Sequence, residues 1–113
     1  MTIKELNNML ALKLQKEMAS YKQDLLKQKP EEIVLKSFET LTKEELIDIF
    51  SYKDLEKEEI QALLKENNIL DTLWERWHTS DGKTFEGLED NVELSIGNIK
   101  EKYQNERKKQ RER

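Results

Sequence analysis

Apolar side chains return every three or four positions along nearly the whole chain, and almost nothing interrupts them. Ile3, Leu6, Leu10, Leu14, Met18, Tyr21 and Leu25 place one stripe on a single long helix from Ile3 to Gln28. Phe85, Leu88, Val92, Ile96, Ile99 and Tyr103 do the same at the other end of the sequence. One proline and three glycines in 113 residues leave little turn material for a sandwich or barrel of short strands. The expectation is an all-α fold: a compact bundle of five to six helices, with the long N- and C-terminal helices packed together.

Start and stop signals divide the rest. Thr2 suits the N-cap of the first helix, with Glu5 three residues later completing a capping box, and Leu12 and Leu26 widen its apolar face. Lys29-Pro30 ends it, because a residue before proline avoids the α region while proline suits a first helical turn. A second helix then begins at Pro30-Glu31-Glu32, with Ile33, Val34, Phe38 and Leu41 as its apolar face. Thr42 with Glu45 reads as the start of a third, carrying Leu46, Ile47, Ile49 and Phe50 to about Tyr52. Asp54-Leu55-Glu56 launches a fourth through Ile60, Leu63 and Leu64, stopped at Asn67-Asn68. Asp71 reads as the cap of a short fifth helix holding Leu73, Trp74 and Trp77, and residues 79–84 form the one long loop. In the last helix Gly97 either permits a close helix approach or is simply tolerated. No apolar residue follows Tyr103, so residues 1–106 are read as one domain and 107–113 as a basic tail that frays into solvent.

The composition fits this picture. Charged residues make up 39% of the chain, against about 25% in an average soluble domain. The apolar residues are spread throughout, which argues against disorder. There is no cysteine, hence no disulfide framework, thiolate metal site or thiol chemistry. No apolar run approaches the roughly 18–20 residues of a membrane span. The opening residues include Lys4, Glu5, Asn7 and Asn8 and do not read as a secretory signal, so a cytoplasmic location is expected.

The residues that usually carry chemistry are absent or isolated. His78 is the only histidine, which removes a catalytic triad and a histidine metal site. Gly82-Lys83-Thr84 imitates the end of a phosphate-binding loop, but Trp77 stands where the earlier glycine belongs. Asp81-Gly82 lacks the spaced oxygen ligands of a calcium loop. The pairs Glu31/Glu32, Glu44/Glu45 and Glu58/Glu59 each read as first-turn residues that favour the helix dipole. No nucleophile–base set is recognisable, so no catalytic residue, metal or cofactor is expected.

Charge is more informative. Residues 107–113 carry five basic side chains and one acid, a net of +4; the whole chain is −4, so residues 1–106 carry −8. A body of that sign repels phosphate, while Arg107, Lys108, Lys109, Arg111 and Arg113 could make salt-sensitive contacts to nucleic acid. The same body could occupy a basic, nucleic-acid-binding surface of another protein, with Glu44, Glu45, Glu58 and Glu59 among the contacts. The plainer explanation is that the surplus acid keeps a small helical protein in solution. Trp74 and Trp77 share a helix face and are the leading aromatic contact candidates. They could equally fill the space between the first and last helices, and at least one is expected in the core.

Several segments together resemble a known family. Glu5-Leu6-Asn7-Asn8, Tyr21 with Leu25-Leu26, Pro30-Glu31-Glu32-Ile33 and Phe38-Glu39 resemble a small domain of unknown function found in Firmicutes. Glu45-Leu46-Ile47, Asp54-Leu55, Ala62-Leu63-Leu64 and Leu70-Asp71 fit the same pattern, so the resemblance spans about residues 3–77. Such domains look like products of phages, plasmids and conjugative elements, and the family brings no catalytic residues. The longer final helix and the basic tail depart from its pattern. The resemblance implies a mobile-element binding protein, such as an inhibitor of CRISPR nucleases. Three readings follow. One is an acidic module that binds a host or element protein. Another is a nucleic-acid accessory protein using its tail, and the third is a helix bundle self-associating through the long stripes, as monomer or homodimer.

Overall fold

A computed structural model describes the backbone of residues 1–79 and 85–111, and the side chains of residues 1–79 and 87–106. Six α-helices follow in order, with no strand among the described residues: α1 (Ile3–Leu26), α2 (Pro30–Leu35), α3 (Ser37–Tyr52), α4 (Lys57–Lys65), α5 (Ile69–His78) and α6 (Phe85–Arg111).

The periodic positions are the core. Leu6, Leu10, Leu14 and Met18 of α1 join Leu46 and Ile49 of α3, Ile60 and Leu63 of α4, and Leu70 and Leu73 of α5 in one continuous cluster. Leu88, Val92, Ile96 and Ile99 of α6 close it. The two long helices meet this core differently from expectation. The broadest helix–helix interfaces are α4 with α6 and α4 with α1, and α1 and α6 share nothing comparable. The reason lies in α4: Ile60 and Leu63 are fully buried and Ala62 nearly so, which makes the helix a wedge that both long stripes can cover. Leu6, Leu10, Leu14 and Met18 of α1 and Leu88, Val92, Ile96 and Ile99 of α6 are consumed inside the molecule and are not free to drive self-association.

Local chemistry moved several boundaries. Thr2 caps α1 as expected, its hydroxyl accepting the Glu5 backbone N–H at 3.1 Å. Thr42 does not start a helix. It is buried in the middle of α3, its Oγ1 donating to the Phe38 carbonyl at 2.8 Å, so the hydroxyl is satisfied inside the helix that it was expected to cap. The break falls earlier, at Lys36, which separates α2 from α3. Glu44 and Glu45 therefore lie in mid-helix, not in a first turn. On α4 the N-cap is Glu56, and Glu59 Oε1 accepts the Glu56 N–H at 2.9 Å, the reciprocal half of a capping box. Asn68, not Asp71, caps α5, accepting the Asp71 N–H at 3.0 Å. Leu12 and Leu26 do not widen the core face, being 57% and 77% exposed. A Cβ built on Gly97 would meet nothing within 4 Å, so this glycine serves no close approach. The last helix continues through Arg111, beyond the end expected near residue 106.

Candidate functional site

Two buried charged residues that the apolar pattern does not announce hold the helices in register. Lys43 on α3 is 2% exposed, and its Nζ donates to Asp71 Oδ1 on α5 at 2.5 Å and lies 3.1 Å from Glu39 Oε2. The same ammonium sits 3.9 Å from the centre of the Tyr21 ring on α1. One lysine thus joins α1, α3 and α5, its charge met by two carboxylates and an aromatic face. Burial raises the Tyr21 phenol above its ordinary value, an effect that its hydrogen bond with Thr40 opposes. Glu17 of α1 is buried beside the start of α5, where its Oε1 accepts the Leu70 N–H at 2.9 Å. A carboxylate from another helix therefore serves a free donor of the α5 first turn and meets the positive end of its dipole. Glu17 Oε2 receives no hydrogen bond but lies 3.3 Å from Lys13 Nζ.

The two tryptophans separate into different environments. Trp77 is 2% exposed and belongs to the core, so it is no contact point for a partner. Trp74 is half-buried. Phe38 packs edge-on against it at a centroid distance of 6.0 Å, and the His78 imidazole stacks on it at 5.0 Å with the planes 6° apart. His78 is thus a stacking residue at the end of α5. Leu35, Lys36, Phe38, Glu39, Trp74 and His78 line an open recess of about 240 Å³. Around it the chain leaves apolar side chains uncovered: Val34 is 69% exposed, Leu35 82%, Phe38 45% and Leu41 58%. No residue of α2 is buried. This α2–α3 corner is the candidate site.

The predicted acids do not gather at one place. Glu44 is exposed and pairs with Lys22 of α1 at 3.3 Å. Glu45 faces the exposed Tyr52 near the end of α3, where Glu89 of α6 also approaches, accepting from the Tyr52 hydroxyl at 3.3 Å. Local loss of hydration and the Glu89 and Glu45 charges hold the Tyr52 phenol above its ordinary value. Lys53 pairs with Glu93 beside it at 2.6 Å. Glu58 is exposed near Lys100 and Tyr103, and Glu59 is occupied in its cap. The side chains of Arg107, Lys108, Lys109 and Arg111, the whole of Arg113, and Gly82-Lys83-Thr84 lie outside the described residues.

A further groove of about 450 Å³ runs between α1 and the end of α3, with Leu10, Leu14, Ile47 and Phe50 among its apolar walls and Asn7, Gln15 and Asp54 among its polar ones. Among the described residues no group of His, Asp or Glu could hold a metal ion, and no helix is long and apolar enough to cross a membrane. No protein-family model matches the chain, no curated protein is significantly similar to it, and no solved structure matches it. The resemblance to the Firmicutes domain therefore rests on the residues that carry it.

Proposed function

We propose that this chain acts by binding other proteins and carries out no chemistry of its own. The observation that carries the reading is the α2–α3 corner, where folding leaves Val34, Leu35, Phe38 and Leu41 uncovered beside an aromatic recess. Exposed apolar side chains that line a recess, as Leu35 and Phe38 do, mark interaction sites in proteins. The sign of a heterologous partner comes from elsewhere. Glu45, Glu89 and Glu93 gather near exposed Tyr52, roughly 21 Å along α3 from Phe38 at 1.5 Å per residue. With −8 on residues 1–106, this flank suits a basic surface such as the nucleic-acid groove of a nuclease. A mobile-element protein that blocks a CRISPR effector would work in this way, and the family resemblance supports that version.

The test is affinity capture from a bacterial lysate with three baits: the full chain, Leu35→Glu, and a Glu45→Lys/Glu89→Lys double variant. Partners lost with either variant support the reading; identical capture by all three counts against it. Adding the purified chain to a CRISPR nuclease cleavage assay then examines the inhibitor version, which unchanged cleavage at excess protein removes.

A further inference from the structure

The corner is not only uncovered; its shape and charge select an occupant. We propose that the α2–α3 corner is a homodimer interface, in which Leu35 of each copy enters the recess between Phe38, Trp74 and His78 of the other. The inference rests on reading the corner as a protein-binding surface and names what covers it.

Four observations lead there. First, α2 has six residues and buries none of them. Isolated helices shorter than about 12–15 residues are marginal in water, so such a turn depends on packing, and within this molecule Ile33 is its one partly covered apolar side chain. Second, the face carries both a knob and a hole. Leu35 is 82% exposed and stands at the rim of a recess of about 240 Å³, roomy enough for a leucine side chain. Two-fold pairing lets each copy's knob meet the other copy's hole, as an isologous interface requires.

Third, the charges at the corner balance. Lys29 and Lys36 offset Glu31 and Glu32, whereas residues 1–106 as a whole carry −8. A basic partner finds no surplus acid here, and a second copy meets no like-charge excess at the contact itself, although the two bodies repel at longer range. Glu32 and Lys36 flank Leu35, and among the described residues neither has an ion-pair partner. The two-fold arrangement sets Lys36 of one copy against Glu32 of the other. Fourth, Val34, Leu35, Phe38 and Leu41 are 69%, 82%, 45% and 58% exposed, and four such side chains supply less than the ~800 Å² that each side contributes to a standard interface, with Gln28, Trp74 and His78 beside them. That area fits a reversible, concentration-dependent dimer. The acidic flank around Tyr52 stays outside it, so pairing joins two acidic bodies and leaves both flanks free.

Sedimentation equilibrium of the full chain, from about 1 µM to about 500 µM, is the test, a range that covers weak interfaces of this size. The full chain is expected to convert from monomer to dimer within it. Leu35→Glu, at a position that contributes nothing to the core, is expected to weaken pairing by roughly thirtyfold or more. Circular dichroism shows whether that variant keeps its helices. Leu12→Glu, the same change at another exposed leucine, is expected to leave pairing intact. Because the chain has no cysteine, Val34→Cys provides a second readout: oxidation is expected to give a covalent dimer. A full chain that stays monomeric throughout overturns the proposal, as does a Leu35→Glu variant that pairs like the parent. If the chain is monomeric but Leu35→Glu still loses a captured protein, the corner binds a different partner and the wider reading stands. If no capture is lost either, both fall.

Discussion

Two short helices of this chain, α4 and α2, are opposites. The nine-residue α4 buries Ile60, Ala62 and Leu63, starts at the N-cap Glu56 whose N–H Glu59 accepts, and receives both long helices. The six-residue α2 has proline at its first position and Glu31 and Glu32 at its start, yet no residue of it is fully buried and only Ile33 among its apolar side chains is partly covered. Local signals suffice to begin a helix in both cases; only α4 is paid back by the core. Apolar surface that folding does not use stays exposed, and Val34 and Leu35 put part of it on α2.

The largest effect expected from this contrast is at Leu63, which is fully buried. Leu63→Ala should cost about 3–4 kcal/mol in urea unfolding, while Leu35→Ala should stay within about 0.5 kcal/mol. Comparable losses at the two positions would break the distinction between the helices. Next comes Lys43, whose stem and charge are both enclosed. Lys43→Ala should cost about 2–3 kcal/mol, and Lys43→Met less, because the methionine refills the volume. Equal losses would show that the ion pairs matter and the packing does not. Glu17→Gln should cost about 1 kcal/mol, since the amide oxygen can still accept from Leu70 while the charge at the α5 dipole is lost. An unchanged midpoint would remove the contribution of the Glu17 charge to the α5 dipole. The smallest is a gain: Gly97→Ala, at an exposed helical site with open space for a Cβ, should stabilise by about 0.5–1 kcal/mol. Destabilisation there would mean that something covers α6 at this point.

How legible the molecule was in its sequence varies from residue to residue. The stripes of α1 and α6 announced their buried positions directly, from Leu6 to Met18 and from Leu88 to Ile99. The same rule partly misread the next segment, because Val34, Phe38 and Leu41 are spaced like a core face although they stay exposed, and only Ile33 is partly covered. Thr42 and Glu45 matched a capping box but fell inside α3, since a threonine hydroxyl can bond a carbonyl one turn back as readily as it can cap. Trp74 and Trp77 were legible as a shared face, but not which of them would be enclosed. Lys43 and Glu17 gave no signal at all: each lies among many like residues, and only partners from other helices make its burial affordable.

Helix formation follows from near neighbours along the chain, so composition and the three-to-four spacing were enough to establish an all-α protein and most of its core. What covers each helix depends on partners distant in sequence, and there the tertiary structure decided. It put α4 between the long helices, enclosed Lys43 among Tyr21, Glu39 and Asp71, and left α2 exposed. The candidate site lies in that second category, because it consists of what folding leaves uncovered, and burial is a property of the whole packed molecule.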